Sequence, residues 1–186
     1  MAICSAVASP ERSTSPIRGG NLISLPEEAL ECFRTHHGMA TASMLTVAGI
    51  SRRSRARAVE DGLFEVWYER VFRIRSAPLT LEARCAALSM AYPSGFITGP
   101  TGGYLSALRR MPPAEPIHFC HPHGAHIGPY PGVRLRQSTK IPPAHRVVRA
   151  DGITIASPAR LAFDLAADLG PLDHRSVVEQ LLAKGK

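Results

Sequence analysis

Residues 49–75 constrain this chain more than any other stretch. Gly49-Ile50-Ser51 precedes the arginine-loaded run Arg52-Arg53-Ser54-Arg55-Ala56-Arg57, and Asp61-Gly62 closes that run before two alternating segments, Phe64–Tyr68 and Val71–Arg75. A glycine takes the left-handed backbone that ends one helix, and a serine side chain accepts an orphan N–H group at the start of the next. The expected local structure is a tight turn, a helix capped by Ser51, and a short hairpin. Upstream, Pro26-Glu27-Glu28 opens a helix with acids at its positive end, Leu30 and Phe33 recur at helical spacing, and Gly38 stops it. Thr41 is placed to cap a second helix through Leu45 and Val47. Three helices followed by two strands is the order of a winged helix-turn-helix, expected over residues 23–76.

Beyond Ser76-Ala77-Pro78 the character changes. Thr80–Tyr92 is alanine-rich and apolar at helical spacing, which predicts a buried helix. Phe96-Ile97-Thr98 suits a brief strand or the lead-in to a helix through Tyr104, Leu105 and Leu108. Six prolines and four histidines between Pro112 and Gly132 exclude long helices there. Strands are expected at 117–120, 133–136 and 153–155, then a helix from Ser157-Pro158 with Leu161, Phe163 and Leu165 inward, and a last helix over 173–183. The fold class is therefore α+β: a Ser/Pro/Gly/Arg-rich flexible leader (1–22), the winged helix (23–76), and a small mixed α+β domain (77–186).

A net charge of +7, carried by 19 arginines and only 3 lysines, suits a polyanionic partner. Arginine is the side chain that reads phosphate and guanine in a bidentate manner. Within the third helix Arg53 and Arg57 share a face at i, i+4, and like charges so close repel, which is tolerable where phosphates neutralise them; a merely solvated basic face is the competing reading. Arg70, Arg73 and Arg75 add cations along the hairpin, while Glu65 and Glu69 oppose phosphate. The expected double-stranded DNA contacts are Ser51, Arg52, Arg53, Ser54, Arg55 and Arg57 from the helix, with Arg70, Arg73 and Arg75 from the wing. A purely structural hairpin covering the helical core is the competing reading.

Other motifs are weaker. His118, Cys120, His121, His123 and His126 form the one metal-like group, but their spacings match no standard zinc site, and a polar hairpin tip is the simpler expectation. Gly99-Pro100-Thr101-Gly102-Gly103 lacks the Lys-Ser/Thr of a phosphate loop. Asp164 and Asp168 share a helix face, yet Arg160 lies one turn earlier, so an ion pair is expected rather than a metal pair. No GxSxG, HExxH or acid-x-Lys element occurs, since Ser138, Leu182 and Lys184 stand two places before the three lysines. No catalytic residue, cofactor or metal is expected. The scattered Cys4, Cys32, Cys85 and Cys120 predict reduced thiols in a cytoplasmic protein. No run approaches the about 18 apolar residues of a membrane span.

Several blocks, taken in order, resemble a known family. They are His37-Gly38-Met39-Ala40-Thr41-Ala42-Ser43-Met44-Leu45, Gly49-Ile50-Ser51-Arg52, Val71-Phe72-Arg73-Ile74, Ile97-Thr98-Gly99-Pro100-Thr101, Asp151-Gly152-Ile153, Ser157-Pro158-Ala159-Arg160 and Phe163-Asp164-Leu165-Ala166. Over residues 26–184 the chain resembles the AbiEi-type antitoxin-like proteins of actinobacteria. That resemblance implies a winged helix binding operator DNA upstream of its own gene as an autorepressor, and a second domain that helps neutralise a nucleotidyltransferase-like toxin. Many relatives carry a further nuclease-like domain, and the chain stops where that domain would begin. Relatives place an apolar residue where Arg55 stands, and Arg-Gly in the wing turn where this chain has Glu69-Arg70. A protein-interaction module, or a shortened relative of the nuclease-bearing form without activity, is the alternative. A metal-dependent enzyme using the histidines ranks last.

Overall fold

The computed structural model describes residues 25–68, 70–113, 115–125, 127–128 and 130–184. The expected leader, Glu69 and His126 lie outside them. Helix α1 (Glu27–Thr35) follows Pro26, has Glu27 and Glu28 in its first turn, and buries Ala29 and Phe33. A strand then intervenes that local pattern did not predict: β1 (Met39–Thr41), only three residues long. Thr41 leaves it to cap α2 (Ala42–Val47), its hydroxyl accepting from the Met44 N–H. Helix α3 (Arg52–Glu60) and the strands β2 (Phe64–Trp67) and β3 (Val71–Ile74) follow as expected.

These strands form a sheet in the order β1-β3-β2, antiparallel throughout, with Met39 and Glu65 both opposite Arg73, and Ala40 and Val66 both opposite Phe72. Side chains alternate along a strand, so the register fixes two faces. One face presents Ala40, Phe64, Phe72 and Ile74 to the helical core of Ala29, Phe33, Leu45, Ile50 and Ala58. The other presents Met39, Val71 and Trp67 to a second core built on α4 (Leu81–Ala91). The sheet is thus covered on both sides. The expected boundary between residues 76 and 77 is a chain turn, and apolar packing runs across it.

Helix α4, capped by Thr80, buries Ala83, Cys85, Ala86, Ala87 and Leu88. Its other neighbour is a five-stranded mixed sheet of order β6-β5-β4-β8-β7. The strands are β4 (Phe96–Ile97), β5 (Ile117–Pro122), β6 (Val133–Ser138), β7 (Arg146–Val148) and β8 (Thr154–Ala156). Ile97, Ile117, Phe119 and Ile153 face α4. Phe96, Cys120 and Ala156 face Leu161 and Leu165 of α6 (Pro158–Leu165) and Val177 and Leu181 of α7 (Pro171–Lys184). Both a strand and a short helix, α5 (Gly99–Leu105), arise where the sequence offered either. The expectation that Phe163 points inward is corrected. Leu161 and Leu165 are buried at i, i+4, whereas Phe163 lies about 200° round the helix from Leu161 and is 72% exposed. The molecule is a mixed α+β fold with two sheets among the described residues.

Candidate nucleic-acid interface

The turn joining α2 to α3 is built from three residues. Gly49 has φ +82°, a region costly for any residue with a Cβ, and its N–H donates to the Thr46 carbonyl. Ile50 then drops into the core, 5% exposed, with its N–H on the Leu45 carbonyl. Ser51 caps α3, its Oγ accepting from the Ser54 N–H at 3.1 Å and lying 2.9 Å from the Ser54 hydroxyl. Ala58 anchors the helix, with Arg55 and Val59 half-buried beside it.

That orientation sorts the nine expected DNA-contacting residues. Ser51, Arg52, Arg53, Ser54 and Arg57 are exposed. Arg52 and Arg53 make no hydrogen bond or ion pair to any described residue. Arg57 meets Asp61 at 3.5 Å, an exposed pair that competes little with a phosphate. Glu60 and Asp61 concentrate negative charge at the far end of α3, so the end that favours a polyanion is the N-terminal one, which also carries the positive end of the helix dipole.

Arg55 goes elsewhere. Its Nη1 donates to the Thr46 Oγ1 at 2.8 Å and to the Ile50 carbonyl at 2.7 Å, so its stem fills the inner stripe while its head stitches α3 to α2. The polar head that makes an arginine costly at an inner position is met by two oxygens.

The hairpin divides in the same way. Arg73 alternates with Phe72 and Ile74 and so falls on the face turned to the second core. Its side chain is 14% exposed, Nη1 donates to the cross-strand Glu65 at 2.8 Å, and Nη2 donates to the Ala77 carbonyl at 2.6 Å. Its Nε is buried with no partner among the described residues. Arg70 and Arg75 are exposed, but they flank β3 at opposite ends, about 16 Å apart along an extended chain. The hairpin aromatics Trp67 and Tyr68 also turn inward, against the second core. Tyr68, at φ +47°, packs its ring 4.5 Å from that of Tyr130 and 6.2 Å from that of Tyr92. Burial pushes its hydroxyl pKa up to about 12, only partly offset by the nearby Arg84. The hairpin end is therefore seated on the second half of the molecule.

The histidine group does not converge among the described residues. Strand alternation sets His118 and Cys120 on one face of β5 and His121 on the other. His121 Nδ1 lies 3.0 Å from the Pro122 carbonyl, and His123 Nδ1 lies 3.0 Å from Gln137. No group of three or more potential metal ligands gathers among the described residues. The Asp164 expectation holds in detail: Arg160 Nε donates to it at 2.9 Å, and the carboxylate is 1% exposed. Sequence reasoning overlooked Thr98, which also donates to Asp164 at 2.6 Å, and Arg136, which reaches it at 3.4 Å. The alternation Val133-Arg134-Leu135-Arg136 held a signal for the second, since it puts both arginines on one strand face.

No protein-family model matches the chain, and no curated protein matches it.

Proposed function

We propose that the chain is a DNA-binding transcriptional regulator of the antitoxin-like kind, a cytoplasmic autorepressor in which α2, the Gly49 turn and α3 act as a helix-turn-helix and β2–β3 as a shortened wing. The observation that carries the reading is the exposed cationic surface of α3: Ser51, Arg52, Arg53 and Ser54 at its start and Arg57 in its last turn, with Arg52 and Arg53 free of any described partner. In this geometry the N-terminal residues of the second helix reach base edges while neighbouring cations hold phosphates. Arg70 and Arg75 supply backbone contacts, and Arg55 and Arg73 support the frame rather than touch DNA. A nucleotidyltransferase-like toxin as protein partner follows from the family resemblance alone. The reading involves no catalysis.

Binding to the DNA upstream of its own gene is measured across a salt series. Log affinity is expected to fall linearly with log salt, by about 0.9 per phosphate neutralised. Flat salt dependence, or unchanged affinity in Arg53→Ala/Arg57→Ala, sinks the regulator reading. A second reading, a protein-interaction module with little DNA affinity, is favoured by the inward packing of Tyr68 and the neutralised Arg73. Growth rescue on co-expression with a neighbouring toxin, together with absent DNA binding, would select it.

A further inference from the structure

A cleft of about 160 Å³ opens on the second sheet, remote in sequence from α3 and lined by Thr98, Gly99, His118, Arg134, Arg136 and Asp168. The parallel pairing of β5 with β6 sets His118 beside Arg134 and Cys120 beside Arg136. Arg134 and Arg136, two residues apart, share a strand face with Cα atoms about 7 Å apart, close enough for both guanidiniums to reach one ligand group.

The two cations are differently held. Arg134 is exposed and has no described partner. Arg136 is anchored at one end, where Nη1 lies 3.4 Å from Asp164. That carboxylate already takes Arg160 Nε and the Thr98 hydroxyl, so it orients Arg136 without engaging most of its five N–H donors. Gly99 forms part of the wall. Its φ is +56°, and a Cβ there would stand 2.7 Å from His118 Nδ1, so a side chain would drive the imidazole out of place. Burial lowers the His118 pKa and the two arginines lower it further against Asp168, leaving a neutral ring with one donor and one acceptor near pH 7.

We propose that this cleft binds the phosphate head of a small phosphorylated ligand: Arg134 and Arg136 grip the phosphoryl oxygens, His118 adds a hydrogen bond, and Asp168 accepts from a hydroxyl on the organic part. Two guanidiniums balance a dianion, and a neutral imidazole beside them can donate without adding a third charge. The site is independent of the α3 interface, so either proposal can fail alone.

The full chain is titrated by calorimetry at constant ionic strength with ribose 5-phosphate, inorganic phosphate and ribose. Ribose 5-phosphate is expected to bind saturably, ribose not at all, and Arg134→Gln to weaken binding at least about tenfold. Arg134→Gln removes no hydrogen bond or ion pair to a described residue, so the variant is expected to keep its fold. Gly99→Ala is expected to weaken binding too, with displacement of the His118 ring signals in NMR spectra. Inorganic phosphate binding as tightly as the sugar phosphate, or the sugar phosphate gaining an advantage that Asp168→Asn abolishes, each support the phosphate assignment and identify the source. No saturable binding up to about 10 mM, equal affinity in Arg134→Gln, or loss of binding in Arg53→Ala overturns it.

Discussion

Arg73 gives two nitrogens to Glu65 and the Ala77 carbonyl, while Arg53 gives none of its own to any described residue. The two arginines look alike along the chain, and their substitutions are expected to separate cleanly. Arg73→Ala strands a half-buried Glu65 and should cost about 1.5–3 kcal/mol of stability in urea unfolding. Arg53→Ala should leave stability within about 0.5 kcal/mol yet reduce the salt slope of DNA binding by about one. The reverse pattern would move the interface to β3. Asp164 belongs at this scale too, because its carboxylate gathers Arg160, Thr98 and Arg136 while 1% exposed. Asp164→Ala leaves the Arg160 guanidinium, itself 10% exposed, without its carboxylate. The expected loss is about 3–5 kcal/mol, and a loss below about 1 kcal/mol in the same assay would show the pair to be dispensable.

Among the elements, α3 tests most directly how local chemistry shapes the candidate surface. Ser51→Ala removes the cap and should cost about 1 kcal/mol. Gly49→Ala meets no atom within 4 Å, so its expected cost of about 1–2 kcal/mol is purely the left-handed backbone. Chemical denaturation of both variants checks these values, and an unchanged midpoint for Gly49→Ala would mean that the turn relaxes. The caps at Thr41 and Ser51, the ends of α3 and the Arg160–Asp164 pair were legible in the sequence because each depends on residues within one turn of helix. Strand β1 was not, since three residues carry no periodicity and its partners on β3 lie 30 to 34 positions away. Edge strand β7 was missed because it too is only three residues long, although its partner β8 is close by in the chain. The fate of Arg73 was half legible: alternation with Phe72 and Ile74 separates it from their face, but only tertiary packing shows that its own face is covered as well. Thr98 meets Asp164 across 66 positions, a contact no local pattern announces.

For the molecule as a whole, the apolar packing shared by the three-stranded sheet and α4 predicts that the two halves unfold together, and a fragment of residues 25–76 is expected to stay unfolded by circular dichroism. A sharp independent melt of that fragment would refute the shared core. A polar tie reinforces the packing: His37 Nε2 lies 3.0 Å from Asp151, which also meets Arg149 at 2.9 Å. Burial raises the Asp151 pKa, but the His37 hydrogen bond, the Ile153 N–H and Arg149 outweigh it and hold the carboxyl below its ordinary value of 3.8. A depressed carboxyl stabilises the fold above that value, and the contribution disappears as pH falls below it. Asp151→Asn should therefore lower the melting temperature at pH 7, and by progressively less as the pH falls below 3.8. Tyr68 works in the opposite sense. Its pKa rises from 10.0 to about 12, so its contribution is whole below pH 10 and is lost between pH 10 and 12, visible as one late-ionising tyrosine in ultraviolet absorbance. A ribbon wedged between two hydrophobic layers behaves as a party wall. Whatever docks against the arginine-bearing helix leans on the same three strands that the tyrosine cage leans on from behind, so the grip on a partner is set as much by what stands behind the wall as by the guanidiniums in front of it.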